Sequence, residues 1–183
     1  MTFYNLVDTY FAGKISPEAL AAVAKSWPIT FIALAISIGI QAGTQSLISN
    51  SVGAKENKIA SLYVAQSITF AVIISIFVTL FGLNFSEFLL QIMGSSTESV
   101  ILTREYLDII FYGSIIILVQ LSLNGTLSAQ GDTKSYRNIL IISFFLNIFL
   151  NPLFIFGYGI IPAFGIAGLA ISTLIAQGVG VLY

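Results

Sequence analysis

One carboxylate stands in an otherwise uncharged stretch near the start of the chain: Asp8, in FYNLVDTYFAG (Phe3–Gly13). A second set of polar residues lies far downstream. Ser143, Asn147 and Asn151 recur at i, i+4 and i+8 in an apolar segment, which places them on one face of a helix. Pro152 follows at once and frees the carbonyl of Ile148 from its helical hydrogen bond. Amide oxygens and a freed carbonyl are ligands for a hard cation such as Na+. They also suit hydrogen bonds to neighbouring helices and repair of a proline kink. Asp8 is open to two readings in the same way. A carboxylate inside a membrane costs about 2.5–3.5 kcal/mol to insert and marks an ion pathway, with Asn5 and Thr9 near enough to help solvate it. At an interface beside Gly13 and Lys14, it is simply hydrated.

These residues need apolar surroundings to matter, and the composition supplies them. Of 183 residues, 57% are hydrophobic and 8% are charged, against roughly 25% charged in soluble domains. So few charges cannot clothe a soluble core, and the chain is of the membrane class. A net charge of −1 leaves no basic face for nucleic acid. Cys and His are both absent, which removes disulfides, thiolate and imidazole metal sites and histidine-dependent nucleophiles. No run matches a phosphate-binding loop in its strand–loop–helix setting. No enzyme constellation remains, and no cofactor is expected beyond a coupling ion.

A bilayer-spanning helix needs about 20 mostly apolar residues. Five segments qualify: Trp27–Ser49, Leu62–Leu83, Leu107–Leu127, Ile139–Gly157 and Phe164–Leu182. Met1–Gly13 is too short and reads as the second half of a helix whose first half is missing. Met1 is followed by no basic stretch, so no cleavable signal peptide is expected. Lys55, Lys58, Lys134 and Arg137 lie in connections two spans apart, and the positive-inside rule places both in the cytoplasm. Glu18, Glu87 and Glu98 fall on the opposite side, together with Lys14, Lys25 and Arg104. Ser86–Gly94 reads as a short interfacial helix capped by Ser86. Arg104 and Asp108, one turn apart, are expected to form a surface ion pair.

Small residues at every fourth position, Gly168, Ser172, Ala176 and Gly180, let helices approach closely. Gly39 and Gly43 repeat the theme, beside a polar line of Gln41 and Gln45. Thr173 flanks the first stripe and offers a hydroxyl. The expected fold is therefore all-α, a single polytopic transmembrane helical unit in the cell (inner or plasma) membrane.

NLVDTYFAGKISPEALAAVAKSWPI, GTQSLISNSVGAKENKIA, SAQGDTKSYRN and FLNIFLNPLFIFGYGIIPAFGIAGLAISTLIAQ resemble, in that order, the N-terminal half of the multidrug and toxic-compound extrusion (MATE) transporters. The resemblance implies twelve transmembrane helices in two six-helix lobes related by an axis along the membrane normal. It implies export of organic, often cationic, compounds in exchange for Na+ or H+. It further implies an N-lobe cation site of a first-helix carboxylate, matched by Asp8, and a fifth-helix Asn, matched by Asn147. An acidic residue one turn later and a sixth-helix Thr complete it, with Asn151 standing at the former position and Thr173 nearest the latter. The start of helix one and the second lobe are absent from this chain, so that lobe is an expected partner, with the lipid bilayer and an organic small-molecule substrate. The other readings are a lipid-linked oligosaccharide flippase of the same superfamily and a non-transporting truncated membrane subunit. No Lys or Arg lies well inside a span, and that favours the drug exporter over the flippase.

Overall fold

The computed structural model describes residues 2–183, with side chains from residue 5 onward. Its elements are α1 (Thr2–Ile15), α2 (Pro17–Gly53), α3 (Asn57–Ile92), α4 (Thr97–Tyr112), α5 (Ser114–Ala129), α6 (Thr133–Phe156) and α7 (Ile166–Leu182). Among the described residues there is no strand, only an isolated bridge between Tyr158 and Ile161 in the α6–α7 turn.

Each helix start has a local cause. Ser16 accepts from the N–H of Ala19 at 3.1 Å and Pro17 occupies the first helical position, so α2 begins at Pro17 and not at Trp27. At 37 residues it is about 55 Å long, more than the roughly 30 Å hydrocarbon core needs. Asp132 caps α6 by accepting from the N–H of Ser135 at 3.0 Å. Pro152 does not end α6, which runs on to Phe156 and stops where Gly157 takes φ 75°. The N–H groups of Phe164 and Gly165 return to the carbonyls of Phe154 and Ile155, occupying acceptors that the helix end leaves open.

Three expected boundaries need correction. Ser86–Gly94 is no separate interfacial helix: α3 continues through it to Ile92, and Ser86 is buried within the helix. The segment Leu107–Leu127 is two helices bent by 50° at Gly113. Ser114 Oγ donates to the carbonyl of Ser75 and Thr79 Oγ1 to that of Phe111, at 3.1 and 2.7 Å, so α3 satisfies the polar groups at the break. A Cβ at Gly113 would strike Leu174, so glycine lets α7 lie against the bend. Finally, α7 has 17 residues, about 26 Å, slightly short of a full crossing. By length and composition α2, α3 and α6 can each cross a membrane, and the bent α4–α5 pair passes the same test when it is taken as one broken span.

The helices pack chiefly as α2 on α5 and α3, and α6 on α7. One end of the bundle carries Glu18, Glu87 and Glu98; the other carries Lys55, Lys58, Lys134 and Arg137. At the glutamate end Arg104 donates to Glu87 at 2.6 Å and to Asp108 at 3.3 Å, and Lys25 donates to Ser99 at 2.9 Å. The core holds Leu90, Leu107, Leu118 and Leu169. Large apolar side chains also face outward, including Phe70, Phe77, Phe81, Phe85 and Phe88 along α3. An apolar exterior on so apolar a helix fits lipid as the surrounding solvent.

Candidate functional site

Asp8 lies seven residues before the end of α1, Thr173 seven after the start of α7, and Asn151 five before the end of α6. At 1.5 Å per residue all three sit about 8–10 Å below the glutamate end. Helix geometry thus brings three distant parts of the chain to one depth.

They meet in hydrogen-bond contact. Thr173 Oγ1 donates to Asp8 Oδ2 at 3.0 Å. The other carboxylate oxygen, Oδ1, accepts from Asn151 Nδ2 at 3.0 Å and from Asn147 Nδ2 at 3.4 Å. Asn147 Nδ2 also donates to Thr173 Oγ1 at 3.1 Å, and Asn151 Nδ2 to Asn147 Oδ1 at 3.2 Å. Asp8 is 2% exposed and both asparagines are fully buried. Bulk water does not reach the carboxylate as a hydrated interfacial position requires. Thr9 takes no part, because its hydroxyl donates back to the carbonyl of Asn5 at 2.6 Å.

One oxygen in this cage is left over. Asn151 Oδ1 is buried and has no hydrogen-bond partner, although buried acceptors are nearly always satisfied. With Asp8 and Asn147 Oδ1 it supplies oxygen atoms of the kind that hold a hard cation, with a single formal negative charge among them. Among the described residues no three acidic, Cys or His side chains cluster.

Beside the cage lies a cavity of about 100 Å³. Asn5, Asp8, Tyr106, Thr173 and Gln177 supply its polar wall, and Trp27, Phe31 and Phe111 its aromatic wall. Tyr106 and Gln177 were not singled out from sequence. Their signal was weak: Tyr106 is one aromatic among many on an apolar helix, and Gln177 follows Thr173 by one turn without further pattern.

The small-residue positions divide into two groups. Gly168, Ser172, Ala176 and Gly180 are all buried. A Cβ at Gly168 would come within 2.6 Å of the backbone of Phe154, and one at Gly180 would strike Gln120. Gly39 and Gly43 face no atom within 4 Å, so the helix packing expected there is not made within this chain. Gln41 is half-buried and Gln45 exposed. Close approaches that the spacing did not reveal occur at Gly82, against Phe111, and at Gly125, against the carbonyl of Gln41.

A bundle with an apolar exterior and a buried, singly charged polar cage beside a cavity is the architecture of a multi-pass membrane transporter. The MatE family model matches residues 1–153, and the chain belongs to that family. It is 30% identical over 171 residues to a FAD transporter of Shewanella oneidensis, covering 93% of this chain and 38% of the relative. It is also 30% identical over 173 residues to the probable multidrug resistance protein YoeA of Bacillus subtilis, covering 94% of this chain and 37% of the relative. A crystal structure of MATE in the bent conformation superimposes with a TM-score of 0.92 at 31% identity, covering 99% of this chain and 40% of that one. The chain therefore spans less than half the length of these relatives, the share expected of an N-terminal lobe.

Proposed function

We propose that this chain is the cation-coupling lobe of an antiporter that exports organic, drug-like compounds across the inner or plasma membrane in exchange for Na+ or H+. A second lobe is its partner in this reading. The observation that carries it is the cage around Asp8, where a buried carboxylate is held only by neutral side chains. Such a group is costly while charged, and either a proton or one Na+ removes the excess charge. Because Asn151 stands where a second acid would add charge, the two ions compete for one site. Na+ loses as pH falls.

The cavity supports the substrate class. A carboxylate among Trp27, Phe31, Tyr106 and Phe111 favours a flat organic cation through charge and ring-face attraction. At about 100 Å³ it is smaller than the roughly 300–1,000 Å³ of a drug site, so in this reading it is one part of a cleft completed by the second lobe. No Lys or Arg lines it, which argues against an anionic, lipid-linked sugar as cargo.

The test is Asp8→Asn, introduced into the protein made from its complete reading frame in an exporter-deficient host. It should insert normally and lose coupled export. Export equal to the parent across the pH range would sink the reading.

A further inference from the structure

Below the Asp8 cage, toward the lysine end, three carboxamides are buried, and two of them carry an oxygen without a protein partner. Gln120, Asn124 and Gln177 are 7%, 3% and 8% exposed. Asn124 Oδ1 and Gln177 Oε1 are sealed from solvent and have no hydrogen-bond partner among the described residues. An amide left in this state costs on the order of 1–3 kcal/mol. A carboxamide that only glues helices together would be bonded to one of them.

Their placement is continuous with the cage. Gln177 lies one turn below Thr173 on α7 and shares the cavity with Asp8. Gly180, nearly one further turn along, has no Cβ, and the amide nitrogen of Gln120 occupies the space a Cβ would take. Asn124 follows Gln120 by one turn on α5, about 7 Å from the helix end at Ala129. Ile139 of α6 borders the same space at Gly180 with an apolar methyl group, 2.9 Å from where that Cβ would lie. At this point the polar neighbour comes from α5 and the α6 neighbour is apolar, so the polar groups continue from α7 to α5.

We infer that Gln177, Gln120 and Asn124 form the path by which the ion held at Asp8 exchanges with the lysine end of the bundle. The inference rests on Asp8 being the coupling site. The path is shut in this conformation, since two of its oxygens are out of contact with water. Their missing partners raise the energy of the shut state, so a rearrangement that admits water is made easier by the bonds it supplies. Water donates to the amide oxygens and accepts from the amide N–H groups, as passage of a proton or a partly hydrated Na+ requires.

The chain contains no native Cys, so single cysteines report water directly. In membrane vesicles containing the protein from its complete reading frame, with any cysteine outside this chain replaced by serine, Gln177→Cys, Gln120→Cys and Asn124→Cys should react with a charged methanethiosulfonate added at the lysine end. The rate should exceed that of Leu169→Cys, a fully buried position on α7, by about tenfold, because only a hydrated thiolate reacts. Equal rates, or reaction only from the glutamate end, would overturn the path. A parallel measurement on the unsubstituted protein follows modification of Asp8 by a hydrophobic carbodiimide, with Na+ added as protectant. Protection at Asp8 with inert cysteines means that the site stands and the path is wrong; no protection by Na+ or by raised pH means that the coupling reading itself has failed.

Discussion

Thr173 Oγ1 lies 3.0 Å from Asp8 Oδ2 although 165 positions separate the two residues in the chain. It is the only hydrogen bond to that carboxylate oxygen among the described residues. It also joins α7 to α1 at the depth where α6 contributes its two asparagines. Thr173→Val keeps the shape and removes the donor. Na+ protection of Asp8 against a carbodiimide should weaken about five- to tenfold, equivalent to ~1–1.4 kcal/mol. Thr173→Ser should restore it, and an unchanged Na+ titration in the valine variant would show that the hydroxyl is incidental.

Topology is tested at Lys134. The positive-inside rule places Lys55, Lys58, Lys134 and Arg137 in the cytoplasm and Glu87 and Glu98 outside. A cysteine at Lys134 should resist an impermeant maleimide in intact cells and react in inverted vesicles. One at Glu98 should behave oppositely. Labelling of Lys134→Cys in intact cells would invert the assignment.

Glycines that look alike in sequence should respond differently to a methyl group. At Gly125 a Cβ would lie 2.6 Å from the backbone carbonyl of Gln41, which cannot turn aside, so Gly125→Ala must part α2 from α5. A loss of about 1–3 kcal/mol is expected. Gly39→Ala meets open space and should be neutral or gain up to about 1 kcal/mol from helix propensity. Thermal unfolding in detergent compares the two, and equal shifts would contradict the packing described.

The cap of α6 should titrate. The backbone N–H of Ser135 and, less, its side chain hold the Asp132 carboxyl below its ordinary value of about 3.9, with a smaller contribution from Lys134. The folded value lies below the unfolded one, so the stabilisation is complete above the unfolded value and fades as pH falls through the folded one. Hydrogen exchange at the Ser135 amide should therefore show falling protection in that acid range, relative to amides deeper in α6. Asp132→Asn, still an acceptor, should flatten the dependence. Persistence of the full pH effect in that variant would assign it elsewhere.

The parts of this fold that sequence reveals are those set by local rules. Ser143, Asn147 and Asn151 share a face because helical spacing demands it, and Asp8 stands out because charge is rare in this chain. The position of Thr173 relative to Asp8 follows no local rule, and only the family resemblance pointed to it. The break at Gly113 was hidden within a continuous apolar run, because its hydrogen bonds are completed by Ser75 and Thr79 on another helix. Ser86 misled for the reverse reason. It has the chemistry of a cap, yet Leu89 and Leu90 carry the apolar face of α3 past it and packing overrides the local signal. Tyr106 and Gln177 matter only through the cavity they share with Asp8, a relation that tertiary packing alone creates.

The cage also sets an order of events during synthesis. At roughly 5–20 residues per second, about 8–33 s separate the translation of Asp8 from that of Thr173. Asn147 and Asn151 arrive only shortly before Thr173. For most of that interval the carboxylate waits in or beside the bilayer without any of the partners that later hold it. The uncharged acid is the cheaper form to keep there. α1 can pack against α2 early, but its carboxylate gains its full set of holding partners only when α7 emerges.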